Sequence, residues 1–135
     1  MSENTRYNEE DIKAMSGSEV ILLLYDEAIG RLKSAEQSLK DKNYDSFDDC
    51  LSRVSRIIRY LKDILDMDYS VSSDLRRIYE YLVYDISAVK AGKESRQEEI
   101  GRICHILSEL REGFEGAGRQ VNEECARKET DERIQ

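Results

Sequence analysis

The sequence predicts an all-α fold, an antiparallel four-helix bundle, on three observations. Proline is absent, no window sustains the alternation of a strand, and apolar residues recur at spacings of three and four from position 20 onwards. At 135 residues the chain is the size of one domain, large enough to bury roughly two thirds of its unfolded surface without staples.

The first helix opens in SGSEVILLLYDEAIGRL, Ser16 to Leu32. Ser16 and Glu19 fit the S-x-x-E capping box, in which the serine oxygen and the glutamate satisfy free amides at a helix start. Ile21, Tyr25, Ala28, Leu32, Ala35 and Leu39 alternate steps of four and three and so share one face. Val20, Leu23 and Leu24 fall outside that stripe. A helix facing a single core needs only one apolar stripe, so something must cover the surplus. After the polar stretch DKNYD, from Asp41, a second seam runs through Phe47, Leu51, Val54, Ile58, Leu61 and Leu65. DMDYSVSS, from Asp66, leads to a third through Leu75, Tyr79, Leu82, Ile86 and Val89. AGKES, from Ala91, leads to a fourth through Ile100, Ile103, Leu107, Leu110, Phe114 and Ala117, with Ser95 and Glu98 as a second capping box. Connections this short favour antiparallel neighbours.

Beyond Arg119 the chain reads RQVNEECARKETDERIQ, too poor in apolar residues to extend the seam, and is expected as a fraying helix end or a disordered tail. The expected organisation is a flexible N-terminal segment over 1–15, a bundle over 16–118 and a polar C-terminal tail over 119–135. The first segment is polar too, yet Tyr7, Ile12 and Met15 are spaced through it, as a cap on the bundle would require.

A net charge of -8 argues against sequence-independent binding to nucleic acid, which depends on dense Lys and Arg, and against attraction to anionic membranes. The longest uncharged apolar run, Val20 to Tyr25, has six residues against the roughly 20 needed to cross a bilayer, and residues 1–15 contain no signal-peptide core. A cytoplasmic protein without membrane insertion is expected. Cys50, Cys104 and Cys125 are odd in number and lack a CxxC pair, so neither a disulfide framework nor a zinc site is suggested.

No enzyme, cofactor or metal is expected. The single histidine, His105, excludes the paired E-x-x-H motifs of a di-iron bundle, and no P-loop, G-x-G-x-x-G or G-x-S-x-G occurs. Cys104 is only the sequence neighbour of His105, pointing about 100° away on a helix. His105 lies two residues after Ile103 and so on the outer face, where a histidine on a four-helix bundle could carry a phosphoryl group. Histidine phosphotransfer domains usually follow that residue with a lysine and a glycine, whereas Ser108 and Glu109 follow here.

Apolar residues also recur beside the seams: Cys50, Ile57 and Ile64 at intervals of seven, then Val71 and Ile78, with Tyr60, Tyr81 and Tyr84. Tyrosine suits a surface exposed until a partner arrives, because its ring gives contact area while its hydroxyl tolerates water. The plain reading is a set of wider core stripes. The sharper one is helix-in-groove recognition of an amphipathic segment. A self-associating structural bundle, a homodimer, is a further alternative.

YNEEDIKAMSGSEVILLLYDEAI, Tyr7 to Ile29, resembles the opening of the flagellar secretion chaperone family, FliS, whose pattern is roughly Y-x4-V-x3-[ST]-P-x-E-L followed by a short apolar run and L-Y-D-G-A-I. LDMDYSVSSDLRRIYEYL, Leu65 to Leu82, looks like that family's junction between second and third helices, where N-L-x-x-L-Y-D-Y-M occurs. The likeness spans about residues 7 to 117. Three departures stand out: Gly17 replaces the proline at the first helical position, Glu27 replaces the glycine after L-Y-D, and Tyr84-Asp85 replaces an arginine pair, reversing local charge.

The resemblance implies an antiparallel four-helix bundle that binds the C-terminal segment of newly made flagellin in hydrophobic grooves. It would prevent premature polymerisation and deliver flagellin to the flagellar type III export gate. The partner-binding set taken from heptad position and from the resemblance is Tyr7, Ile12, Val20, Leu23, Tyr25, Ile57, Ile64, Ile78, Tyr79 and Tyr81.

Overall fold

The computed structural model describes the backbone of residues 17–134 and the side chains of residues 17–116. The described residues form four α-helices: α1 Gly17–Lys40, α2 Tyr44–Asp63, α3 Ser72–Gly92 and, after a 3-10 turn at Lys93–Arg96, α4 Glu98–Ile134. There is no strand among the described residues. α1 packs against both α2 and α4, and α2 against α3, whereas the backbones of α3 and α4 barely approach each other.

The seams supply the core. Tyr25, Ala28, Leu32, Ala35 and Leu39 of α1 meet Phe47, Leu51, Val54, Ile58 and Leu61 of α2, Tyr79, Leu82, Ile86 and Val89 of α3, and Ile100, Ile103 and Leu107 of α4. Ile21, Leu65, Leu75, Leu110 and Phe114 are half-buried at its margin. Ala117 lies outside the described side chains. Two residues expected beside the seam belong inside it, for Cys50 and Ile57 are only 7% and 8% exposed. The reason is that α2 has neighbours on two sides, so its buried stripe is wider than one position in each turn.

The α1–α2 corner is a Schellman motif. Asn43 N donates to Ser38 O at 2.8 Å and Lys42 N to Leu39 O at 3.1 Å, with Lys42 in the left-handed region at φ 57°. Asn43 then caps α2, its side chain accepting from Ser46 N at 3.3 Å. One short polar stretch thus ends one helix and starts the next.

The second expected capping box does not form. Ser95 Oγ donates to Gly92 O at 2.7 Å inside the 3-10 turn, and the chain passes through Gln97 with helical torsions into α4. The reversal is made instead at Lys93, whose φ of 52° and ψ of -126° break the helical path after α3. Ser16, the serine of the first box, lies outside the described residues, and α1 begins right after it at Gly17. The backbone of 119–134, expected as a polar tail, continues α4 as helix.

Long polar side chains fix the helices' register. Arg111 of α4 holds Asp26 of α1 at 2.6 and 3.2 Å, and Lys90 of α3 donates to Ser52 of α2 at 2.6 Å. Glu27 of α1 takes Arg31 at 3.0 Å and Arg53 of α2 at 3.5 Å. Pairs exposed to this degree contribute about 0 to 1 kcal/mol each, so the apolar seams carry the stability.

Candidate functional site

Leu24 of α1 and Arg53, Arg56, Ile57 and Tyr60 of α2 line an open groove of about 270 Å³. Ile57 is nearly buried and Leu24 half-buried, so they form its apolar floor; Tyr60 is 50% exposed. Ile57, Tyr60 and Ile64 stand three and four residues apart and therefore continue as one strip along α2. Past the helix end Met67, Tyr69 and Val71 are also exposed.

These residues are not scattered. Tyr60, Ile64, Met67, Tyr69 and Val71 are five of the seven large apolar side chains exposed among the described residues, and they fall within one stretch of sequence, from the last turn of α2 into the connection to α3. The connection that presents them is held in shape by Asp66, whose carboxylate accepts from Asp68 N at 3.0 Å and whose carbonyl accepts from Ser72 Oγ at 2.6 Å. Exposure here is therefore a property of an ordered turn. Exposed apolar side chains gathered in one stretch are a candidate interaction surface.

The expected partner-binding residues divide into groups. Ile57 and Ile64 lie in the groove and on the strip continuing from it. Val20 and Leu23 are half-buried in the first turns of α1, where the run Val20 to Leu24 contains no fully buried residue, so its surplus apolar surface persists in the fold. Ile78 is half-buried and Tyr81 half-exposed on α3. Tyr7 and Ile12 lie outside the described residues. Tyr25 and Tyr79 are 1% and 3% exposed and offer a partner no area in this structure.

Those two tyrosines have an internal role. The hydroxyls of Tyr25 and Tyr79 are hydrogen-bonded to each other, and Tyr25 packs on Phe114 with ring centroids 6.5 Å apart. The L-Y-D and I-Y-E-Y-L stretches thus meet inside the bundle, clasping α1 to α3, while Asp26 of the first clasps α1 to α4. Burial pushes both phenols above their ordinary value of 10.0. In the unfolded chain they ionise near pH 10, so their contribution is complete below that pH. It is lost as pH rises further, by up to about 1.4 kcal/mol per pH unit for each phenol. Denaturant midpoints should fall between pH 9 and 11, and fall by less in the Tyr25→Phe/Tyr79→Phe double variant; equal slopes would show that the pair stays outside the linkage.

Sequence reasoning also missed what happens at Tyr84-Asp85. Asp85 turns inward, its side chain 8% exposed, and pairs with Arg102 of α4, which also donates to Tyr81 Oη at 2.9 Å and Glu99 Oε1 at 3.2 Å. A single guanidinium bridges the two helices whose backbones stay apart. Tyr84 points outward at 73% exposure. Arg53 and Arg56 were missed as well, because an arginine flanking an apolar seam reads as ordinary solvated surface.

His105 stands on the outer face with its side chain 72% exposed and Nε2 3.0 Å from Glu109. Among the described residues no three His, Cys, Asp or Glu side chains gather as a metal site, and no helix is long and apolar enough to cross a membrane.

The described residues form an all-α four-helix bundle with an open groove on an apolar floor, a geometry into which an amphipathic segment can dock. The sequence pattern of the family described as "Flagellar protein FliS" matches residues 1–121. The chain belongs to that family, the flagellar export chaperones, a chaperone family and not an enzyme family. No curated protein matches the chain.

Proposed function

We propose that this chain is a cytosolic chaperone that binds the C-terminal region of flagellin along the α1–α2 groove and the apolar edge beyond it. It keeps flagellin from polymerising and hands it to the flagellar export apparatus, and it performs no chemistry. The observation that carries this reading is the open groove at Leu24, Ile57 and Tyr60, with Ile64 exposed further along α2 and Met67, Tyr69 and Val71 exposed in the connection that follows, in a member of the export chaperone family. A disordered amphipathic segment can follow such an edge, gaining apolar burial at each turn while its ordering costs on the order of 2 to 5 kcal/mol. That balance suits a cargo that must be held firmly and then released.

In the same proposal, residues 7–15 cover Val20, Leu23 and Leu24 in the free protein through Tyr7, Ile12 and Met15, and flagellin displaces them. The experiment is seeded flagellin polymerisation with increasing amounts of the full chain and of the chain lacking residues 1–14. The full chain should arrest growth near equimolar ratio. The truncated chain should arrest it at lower ratio and bind more of an apolar dye. Unchanged filament growth at excess protein would refute the chaperone reading, and identical behaviour of the two chains would refute the covering segment.

A further inference from the structure

The groove is bordered by two cations on a protein of net charge -8. Most arginines among the described residues are consumed in internal pairs: Arg31 with Glu27, Arg76 with Glu80, Arg96 with Glu99, Arg102 with Asp85, Arg111 with Asp26 and Glu115. Arg59 and Arg77 are not consumed in this way either but do not line the groove; Arg53 and Arg56 do. Arg53 shares Glu27 with Arg31, at a long 3.5 Å, and its side chain is 52% exposed. Arg56 has no ion pair or hydrogen bond among the described residues. Two guanidinium forks with unused donors therefore stand beside an apolar floor.

We infer that the groove selects an amphipathic helix that carries carboxylates along the edge facing Arg53 and Arg56, so that its cargo site reads charge as well as apolar pattern. This rests on the reading of the chain as a binder of flagellin's C-terminal segment and states what chemistry that segment must bring. A guanidinium fork matches a carboxylate in two parallel hydrogen bonds, a geometry that amides or hydroxyls serve less well. Docking removes water from the groove and strengthens the pair relative to an exposed one.

One position along the groove is disfavoured for those carboxylates. Asp63 follows Arg56 by seven residues, on the same strip of α2 and about 10 Å further along. A carboxylate placed there instead would meet like charge. The negative charge of the whole molecule does not cancel the selection, because at physiological salt it is screened over about 8 Å while a contact pair is not.

The test uses two synthetic amphipathic helices about five turns long with the same Leu/Ile stripe. One carries Glu on the flank that meets Arg53 and Arg56, the other Gln. Each is titrated against the full chain, against Arg56→Gln, and against Arg53→Gln/Arg56→Gln, with the flagellin C-terminal segment titrated alongside. Arg56→Gln breaks no ion pair among the described residues, and its melting temperature serves as the folding control. The Glu helix should bind wild type about tenfold tighter than the Gln helix, lose about fivefold on Arg56→Gln, and lose its advantage on the double variant. Equal binding of the two helices to wild type, or no binding of either, would overturn the selection. Discrimination between the helices with no binding of the flagellin segment would leave the groove chemistry standing and overturn the flagellin reading.

Discussion

Phe47→Ala should lower the stability of the bundle by about 3 to 5 kcal/mol, the cost of emptying a fully buried aromatic site in a core that only partly relaxes. Phe47 is 0% exposed and sits in the first turn of α2, its amide donating to Asn43 O at 3.1 Å, just past the Schellman corner that joins α1 to α2. The corner gives the surrounding backbone little freedom to collapse into the space. A domain of this size is stable by about 5 to 15 kcal/mol, so the variant would be marginal. Urea unfolding followed by circular dichroism measures it, and a loss below about 1 kcal/mol would mean that the α1–α2 seam is not the packed core described.

Tyr60→Ala should weaken binding of the flagellin C-terminal segment by about thirtyfold or more, the range of a tyrosine hot spot in a desolvated site. It should leave the melting temperature within a few degrees of wild type. The two effects separate because Tyr60 is already 50% exposed in the free protein, so folding gains little from it, whereas a helix in the groove would bury the ring beside Leu24 and Ile57. Calorimetric titration gives the affinity and scanning calorimetry the melting temperature. Full affinity in the variant would move the site off the α1–α2 groove.

The helices were legible in the sequence because their seams obey one period: nearly every residue on the four stripes is in the core or at its margin. Cys50 and Ile57 stood open between a wider core stripe and a docking face, because a stripe's width depends on how many neighbours a helix has, which periodicity along one helix does not carry; their burial follows the wider stripe. Tyr25 and Tyr79 came from a motif and from heptad position, both of which fit their observed burial, yet nothing local says that their hydroxyls meet across 54 residues of chain. The groove was half legible. Leu24 stood out as surplus and Tyr60 as an aromatic outside the seams, but only the packing of α1 on α2 places them together. Asp85 shows the limit most clearly. Its charge reads as a surface departure, and its burial depends on Arg102 arriving from another helix.

The most direct measurement is calorimetric titration of the full chain with a peptide spanning about the last 40 residues of flagellin, at several temperatures and with helicity followed in parallel. Coupled folding and binding in the groove predicts micromolar or tighter affinity, a negative heat-capacity change corresponding to about 1,000 to 3,000 Å² of buried surface, and a gain of helix. Absence of heat and of any change in helicity would contradict the account and leave a four-helix bundle whose apolar edge serves some other contact.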